Sequence, residues 1–100
     1  MDAFEAVAEP NRRRVLDMLR SGERAAGEIV AALAISQPNA SKHLRLLREA
    51  GLVSVRPLGQ RRLYRIEADH LVPLAEWVEP YRRFWRGKLD ALERHLDGDN

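Results

Sequence analysis

Residues 36 to 45 hold the side chains best suited to chemistry in this sequence, and that chemistry is the recognition of nucleic acid. Gln and Asn can each pair with adenine through two hydrogen bonds, and Lys and Arg can pair with guanine. Free backbone N–H groups at a helix N-terminus suit a phosphate. The candidate contacts to double-stranded DNA from this stretch are Ser36, Gln37, Asn39, Ser41, Lys42, His43 and Arg45.

A helix is needed to present these side chains, and the sequence predicts one that ends at Gly51. Ser36 is its predicted N-cap, since the hydroxyl can accept from a free backbone N–H, and Pro38 suits the first turn. A shorter helix, marked by Ile29, Val30 and Leu33, precedes it, which gives a helix-turn-helix. At 100° per residue, the polar side chains of the second helix lie opposite an apolar face formed by Ala40, Leu44 and Leu47.

Several of these candidates have a competing structural role. Capping alone, worth ~1 kcal/mol, would explain Ser36 and Gln37 equally well. His43 lies at the margin of the apolar face, which favours packing or a hydrogen bond to phosphate over base readout. Asn39 lies at the flank of the outward face.

The net charge of +2 is unevenly distributed along the chain. Residues 37–65 carry a net charge of +6, whereas residues 1–36 carry −1 and residues 66–100 carry −3. A basic stretch between slightly acidic ends is typical of a surface that binds a polyanion. A solvated helix face explains the charge alone equally well.

The helix-turn-helix is followed by a sequence with the period of β-structure. Residues 52–56 and 62–66 are predicted strands, joined by a hairpin loop at 57–60. Arg61 and Arg62 lie at or beside its tip, where they are expected to reach the DNA minor groove or its phosphates. Tyr64 is expected in the core. A basic hairpin in this position is called a wing.

The N-terminal sequence predicts two further helices. Residues 2–8 give one or two turns, and a stronger helix runs from Pro10 to a stop at Ser21 and Gly22. Arg12 and Arg13 are expected to point outward, and they and Arg14 to reach the DNA backbone at most. The predicted fold class is mainly α with a small β-hairpin, a winged helix-turn-helix in the order α-α-α-α-β-β-α.

The C-terminal region predicts a surface for a second copy of the chain. Helical spacing returns from His70, and Pro73 and Pro80 are each expected to start or kink a helix. Four of the six aromatic residues lie between residues 77 and 85, more than a domain of this size can cover. Packing of these rings on their own domain is the alternative. The predicted dimer interface comprises Phe4, Val7, Trp77, Tyr81, Phe84, Trp85, Leu89 and Leu92.

Length and composition limit the remaining function classes. One hundred residues, with 45% hydrophobic and 32% charged, predict one folded domain over residues 1–100. The absence of cysteine excludes disulfides, thiolate nucleophiles and thiolate metal sites. Because the sequence has neither a long apolar run nor an apolar leader, we expect a cytoplasmic protein without a membrane partner.

These motifs together resemble the ArsR-type winged helix-turn-helix transcriptional regulators. The opening Ala8-Glu9-Pro10-Asn11-Arg12 is similar to the first long helix of that family. The run from Ser36 through Leu44 to Val53 is similar to its recognition helix, and Gly59 to Tyr64 to its wing. Spread in order over some sixty residues, these matches are specific.

The resemblance implies a homodimeric repressor that binds an inverted repeat in its operator with paired recognition helices. The predicted segments are the helix-turn-helix at residues 26–50, the wing at residues 52–66, and the dimerisation helices at residues 1–8 and 70–97. Operator, regulated genes and effector ligand are not specified by the sequence.

Metal sensing in the family uses residues that this sequence lacks. The thiolate pair of many relatives maps to Ala25 and Gly27, and Asp69 and His70 are adjacent where a second site requires another spacing. We therefore expect neither a metal nor another cofactor. His95 with Asp or Glu across a dimer axis is the remaining metal hypothesis.

Three other functions compete with DNA binding. An enzyme is not expected, because the sequence has no Gly-rich phosphate loop and no set of Ser, His and acid with a suitable arrangement. A winged helix can also serve as a protein–protein interaction module, which would not need the outward basic residues. A metal-responsive repressor with a non-thiolate site is the third alternative.

Overall fold

A computed structural model describes residues 1–98 and confirms the predicted mainly helical winged helix-turn-helix. A short 3₁₀ helix, Ala68–Leu71, lies between the sheet and the last α-helix. In chain order, the helices and strands are α1 (Ala3–Val7), α2 (Pro10–Leu19), β1 (Arg24–Ala25), α3 (Ala26–Leu33), α4 (Gln37–Glu49), β2 (Val53–Leu58), β3 (Arg61–Ile66) and α5 (Val72–Gly98).

Side-chain caps fix where three of the helices begin. The Asp2 carboxylate accepts from Glu5 N at 2.8 Å, and the Glu9 carboxylate accepts from Arg12 N at 3.0 Å. Ser36 Oγ accepts from Asn39 N at 3.3 Å, which confirms Ser36 as the N-cap of α4. Each bond gives a side-chain acceptor to a backbone N–H of the first helical turn, where the usual intrahelical partner is missing.

The hydrophobic core lies between α2, α3, α4 and the sheet. The predicted apolar face of α4 is buried there, and Tyr64 is buried as predicted. Val30 is only partly buried against the core. The core residues are Ala6, Val15, Leu16, Leu19, Ile29, Leu33, Ala40, Leu44, Leu47, Leu52, Val53 and Tyr64.

The sheet has one strand more than the sequence predicted. β1 pairs antiparallel with β3, which becomes the central strand in the order β1-β3-β2. Two residues are too few to show an alternating pattern, so the sequence of β1 does not predict a strand.

The hairpin is also tighter than predicted, because β2 extends to Leu58 and pairs it with Arg61. Pro57 is tolerated in β2 because this is an edge strand.

Arginines 12 to 14 all serve as C-terminal caps of neighbouring helices. Arg13 Nη1 donates to the carbonyl of Val7 at 2.7 Å, and Arg14 donates to those of Ala32 and Leu33 at 3.0 and 3.2 Å. The prediction that Arg12 points outward is wrong, since its side chain is buried and donates to carbonyls of α1. A guanidinium suits this place because the last helical carbonyls lack partners and carry partial negative charge.

Helix α5 extends away from the domain. It has 27 residues, begins one residue before Pro73 and continues across Pro80, and the chain measures 60 × 27 × 22 Å along its principal axes. Among residues 1–98, none of the helices combines the length and the hydropathy needed to cross a bilayer. Among residues 1–98, α5 contacts mainly α1 and the 3₁₀ helix, and most of its large apolar side chains are exposed.

Candidate nucleic-acid interface

An open groove of about 570 Å³ runs between α3, α4 and the wing. Its floor is apolar, with Val30, Leu44 and Tyr64 at its base. Among the described residues that line it, none is acidic. The polar residues on its walls are Gln37, Ser41, Arg45 and Arg48 from α4 and Arg62 from β3.

The side chains from α4 reach the groove because they form one line along the helix. Gln37, Ser41 and Arg45 are each four residues apart, so they stand above one another on successive turns. Gln37 Nε2 donates to Ser41 Oγ at 3.0 Å, which holds the amide along the helix surface. The amide oxygen and the second N–H of Gln37 still point away from this bond and suit a base edge.

Arg48 is a groove residue that the sequence analysis missed. It follows Gln37 by eleven residues, which at 100° per residue returns to within about 20° of the same line. Helical periodicity alone therefore predicts that Arg48 lies on the same side of α4 as Gln37.

The other predicted residues of α4 lie in two places. Ser36, Asn39 and Lys42 are exposed around the N-terminal half of the helix, outside the groove lining. His43 turns inward instead, and its side chain is 14% exposed. His43 Nδ1 lies 3.3 Å from Arg12 Nη1 and 3.7 Å from Glu9 Oε2. These contacts support the packing role that the sequence left open for His43.

The basic residues of positions 37–65 separate into two groups. Three of them form ion pairs: Arg56 with Glu23 at 3.0 Å, Arg61 with Glu28 at 3.0 Å, and Arg65 with Glu67 at 3.1 Å. Within the described part of the chain, the other four make no ion pair. These are Lys42, Arg45, Arg48 and Arg62, and three of them line the groove.

The base of the wing holds a small polar cluster. Ser54 Oγ lies 2.6 Å from Glu67 Oε1, and Arg65 Nε donates to both of these oxygens at 3.1 Å. The hydrogen bond from Ser54, followed by that from Arg65, lowers the pKa of Glu67 below its ordinary value. Arg65 is thus held by hydrogen bonds at the base of the wing, whereas Arg62 lines the groove.

Apolar side chains of α5 form a second exposed surface, which we call the α5 apolar face. Trp77, Phe84 and Leu89 are each 58–59% exposed. Phe4 packs edge-on against Trp77 with ring centroids 6.1 Å apart, so α1 adds to this face. Val7, in contrast, is partly buried against the core of its own domain. The remaining members are Tyr81, Trp85, Leu92 and Leu96.

The two positions that the family resemblance associates with metal ligands carry no side chain that could bind a metal. Ala25 is buried in β1 opposite Leu63, and Gly27 has no side chain to offer. In residues 1–98, we find no group of three or more His, Cys, Asp or Glu side chains arranged to hold an ion. His43, His70 and His95 lie on three different helices.

Comparison with known sequences places this arrangement among bacterial regulators. Residues 9–55 match the family model described as bacterial regulatory protein, arsR family. An HTH-type transcriptional regulator of Mycobacterium tuberculosis is 34% identical over 97% of this chain and 88% of its own length. The transcriptional repressor SdpR of Bacillus subtilis is 34% identical over 77% of this chain and 86% of its own.

A solved structure has the same fold. It is the solution NMR structure of a homodimeric winged helix-turn-helix DNA-binding domain from Mycobacterium bovis. It superposes with a TM-score of 0.63 at 34% identity, covering 79% of this chain and 73% of that one.

Proposed function

The chain belongs to the ArsR family of bacterial regulatory proteins, and from this we propose that it is a transcriptional repressor that binds double-stranded DNA sequence-specifically as a homodimer. The observation that carries the proposal is the groove beside α4. It brings three arginines with no ion pair within residues 1–98 together with an amide and a hydroxyl, and no described residue of its lining is acidic.

In the proposed complex, the α4 helix lies in the major groove. Gln37, Ser41 and Arg45 face the base edges, and Arg45 suits guanine through its two parallel donors. Arg62 approaches the sugar-phosphate backbone from the wing. Ser36, Asn39 and Lys42 surround the helix N-terminus, where the positive end of the helix dipole and the Lys42 ammonium suit a phosphate.

We propose that the α5 apolar face joins two copies of the chain. A row of aromatic and leucine side chains about half exposed is costly in water, and a second copy of the same face would cover it. Residues 1–8 and 70–97 would then form the dimer, and residues 26–50 and 52–66 would bind DNA. Asn100 of the expected domain 1–100 lies outside the described residues, as does residue 99.

The proposed mechanism of repression is occupancy of an operator in the cytoplasm. Two copies related by a two-fold axis would present two α4 helices to two half-sites of an inverted repeat. The half-site centres are expected about one helical turn of DNA, or a multiple of it, apart. RNA polymerase would then be excluded from the occupied promoter.

Selection of bound duplexes from a random pool tests the proposal directly. We expect a palindromic consensus, because a two-fold dimer reads both half-sites in the same way. Enrichment of no sequence over the starting pool would contradict sequence-specific binding and would favour the protein-interaction module. Adding Zn²⁺ or a chelator to the same selection should leave the consensus and its enrichment unchanged.

A further inference from the structure

The side chain of Arg12 connects three helices in the described part of the chain. It is only 8% exposed, and each of its three guanidinium nitrogens has a partner. Nε donates to the carbonyl of Ala6 at 2.7 Å, and Nη2 donates to that of Glu5 at 3.2 Å. Nη1 lies 3.3 Å from His43 Nδ1. One side chain of α2 therefore contacts both α1 and α4.

The chemistry of arginine fixes the direction of the contact to α4. A guanidinium only donates, so His43 Nδ1 is the acceptor in this hydrogen bond. The planar fork is rigid, and bonds from its other two nitrogens to α1 fix its orientation. The position of His43, and of the helix that carries it, is thereby tied to the end of α1.

Glu9 completes this arrangement at the N-terminus of α2. Its carboxylate caps the helix through Arg12 N and lies 3.7 Å from His43 Nδ1. The groups of α2 that face His43 are therefore one cation and one anion, close to charge balance. Burial of the Arg12 guanidinium is tolerated because its nitrogens are paired in this way.

We infer that Arg12 is a positioning residue for DNA recognition: it fixes the rotation of α4 relative to α1, and so relative to the α5 apolar face, through its bond to His43. The inference rests on the proposed function. Arg12 itself is buried beneath α4 and touches no base. It acts by setting where Gln37, Ser41 and Arg45 stand when two copies of α4 meet the two half-sites.

The test compares affinity for the selected duplex with affinity for a random duplex of equal length. Loss of correct α4 orientation should weaken specific binding and leave non-specific binding to phosphates unchanged. Arg12→Lys keeps the charge but not the fork, and His43→Leu removes the acceptor but keeps the packing. We expect each to lower the ratio of the two affinities by about tenfold, the scale of one buried hydrogen bond to a charged group.

Two further variants separate positioning from mere support of the fold. His43→Gln restores an acceptor and should recover most of the ratio. Arg13→Gln removes a guanidinium that donates to Val7 of α1 and, within residues 1–98, makes no hydrogen bond or ion pair to α4. This variant should leave the ratio at the wild-type value. Circular dichroism and sedimentation establish that each variant is folded and dimeric before DNA is added.

The outcomes are distinguishable from failure of the proposed function. A wild-type chain that selects no duplex would overturn the function and this inference with it. A wild-type chain that selects a duplex, with Arg12→Lys and His43→Leu as selective as wild type, would overturn only the inference. Equal losses in His43→Leu and His43→Gln would also overturn it, since the acceptor would then be irrelevant.

Discussion

Helices α4 and α5 carry the same kind of apolar stripe and have opposite surroundings. In α4, Ala40, Leu44 and Leu47 are at most 3% exposed. In α5, Trp77, Phe84 and Leu89 are each more than half exposed. Helical periodicity thus predicts which side of a helix is apolar. It does not predict whether that side packs against the rest of the same chain or stays exposed.

The difference has a structural cause and a functional consequence. α4 is surrounded by α2, α3 and β2, whereas α5 contacts α1 and the 3₁₀ helix near its start and then leaves the domain. Under the proposed function, α4 offers its polar face to DNA, and α5 offers its apolar face to a second copy of the chain. The affinity of binding through the polar face of α4 should fall as the salt concentration rises. The affinity of binding through the α5 apolar face should depend little on salt.

The largest effect is expected from placing a charge on the α5 apolar face. Leu89→Glu would bury a carboxylate between two copies and should raise the dimer dissociation constant about 1,000-fold, or ~4 kcal/mol. Analytical ultracentrifugation over a dilution series measures this. Arg94→Glu, on the opposite side of α5, is the control and should leave the constant within about threefold. Equal constants for both variants would refute the proposed interface.

Truncation of one leucine in α4 and one in α5 tests whether the first is buried within its own chain and the second only in the dimer. Leu47→Ala leaves a cavity in the core and should lower the free energy of unfolding by about 3 kcal/mol. This loss should be the same at every protein concentration. The loss in Leu92→Ala should disappear on dilution, when wild type and variant are both monomeric. Urea denaturation at two concentrations a hundredfold apart distinguishes the two behaviours.

The polar face of α4 is tested by removing its charges. Lys42→Ala combined with Arg45→Ala should weaken binding to the selected duplex about 100-fold, since one base contact and one phosphate contact are lost. The dimer should remain intact, because neither residue lies on the α5 apolar face. Gel-shift titration with a parallel sedimentation run measures both quantities. Unchanged affinity would mean that α4 is not the recognition helix.

The wing offers a finer comparison between adjacent arginines. Arg62 lines the groove, whereas Arg61 is held by Glu28 at 3.0 Å. Arg62→Ala should reduce the slope of log affinity against log salt by about 1, the effect of one lost phosphate contact. Arg61→Ala should change the slope by less, because its charge is already paired. Equal slopes for the two variants would show that DNA releases Arg61 from Glu28.

Local patterns predicted the parts of the molecule that depend on neighbours in sequence. The Ser36 cap acts over three residues, and the buried face of α4 repeats every three or four, so both could be predicted. The line of Gln37, Ser41 and Arg45 is local in the same way. Arg48 belongs to it and could have been predicted as well.

Features that depend on distant residues could not be predicted. Arg12 is buried because the end of α1 and His43 of α4 meet at it, and His43 lies 31 residues away. Arg61 is paired because Glu28 of α3 lies beside the wing, 33 residues away in sequence. Basic residues that look equivalent in a sequence therefore differ in the folded chain. Tertiary contacts hold some of them within the fold and leave others able to contact DNA.

The smallest effect is expected at the joint between α3 and α4. Ala34 has φ 55° and ψ 35°, a left-handed conformation that costs a residue with a Cβ about 1 kcal/mol. Its side chain is exposed, so Ala34→Gly loses no packing and should raise the free energy of unfolding by about 0.5 kcal/mol after the added unfolded-state entropy is subtracted.

Ala32→Gly is the matched control for this joint. Ala32 is also exposed but lies within α3, where glycine should lower the free energy of unfolding by about 1 kcal/mol. The two substitutions are chemically identical, so opposite shifts in a thermal melt would isolate the backbone conformation as the cause. The dimer dissociation constant should stay unchanged in both, because α3 does not contribute to the α5 apolar face. Destabilisation by both would show that Ala34 is not left-handed in solution.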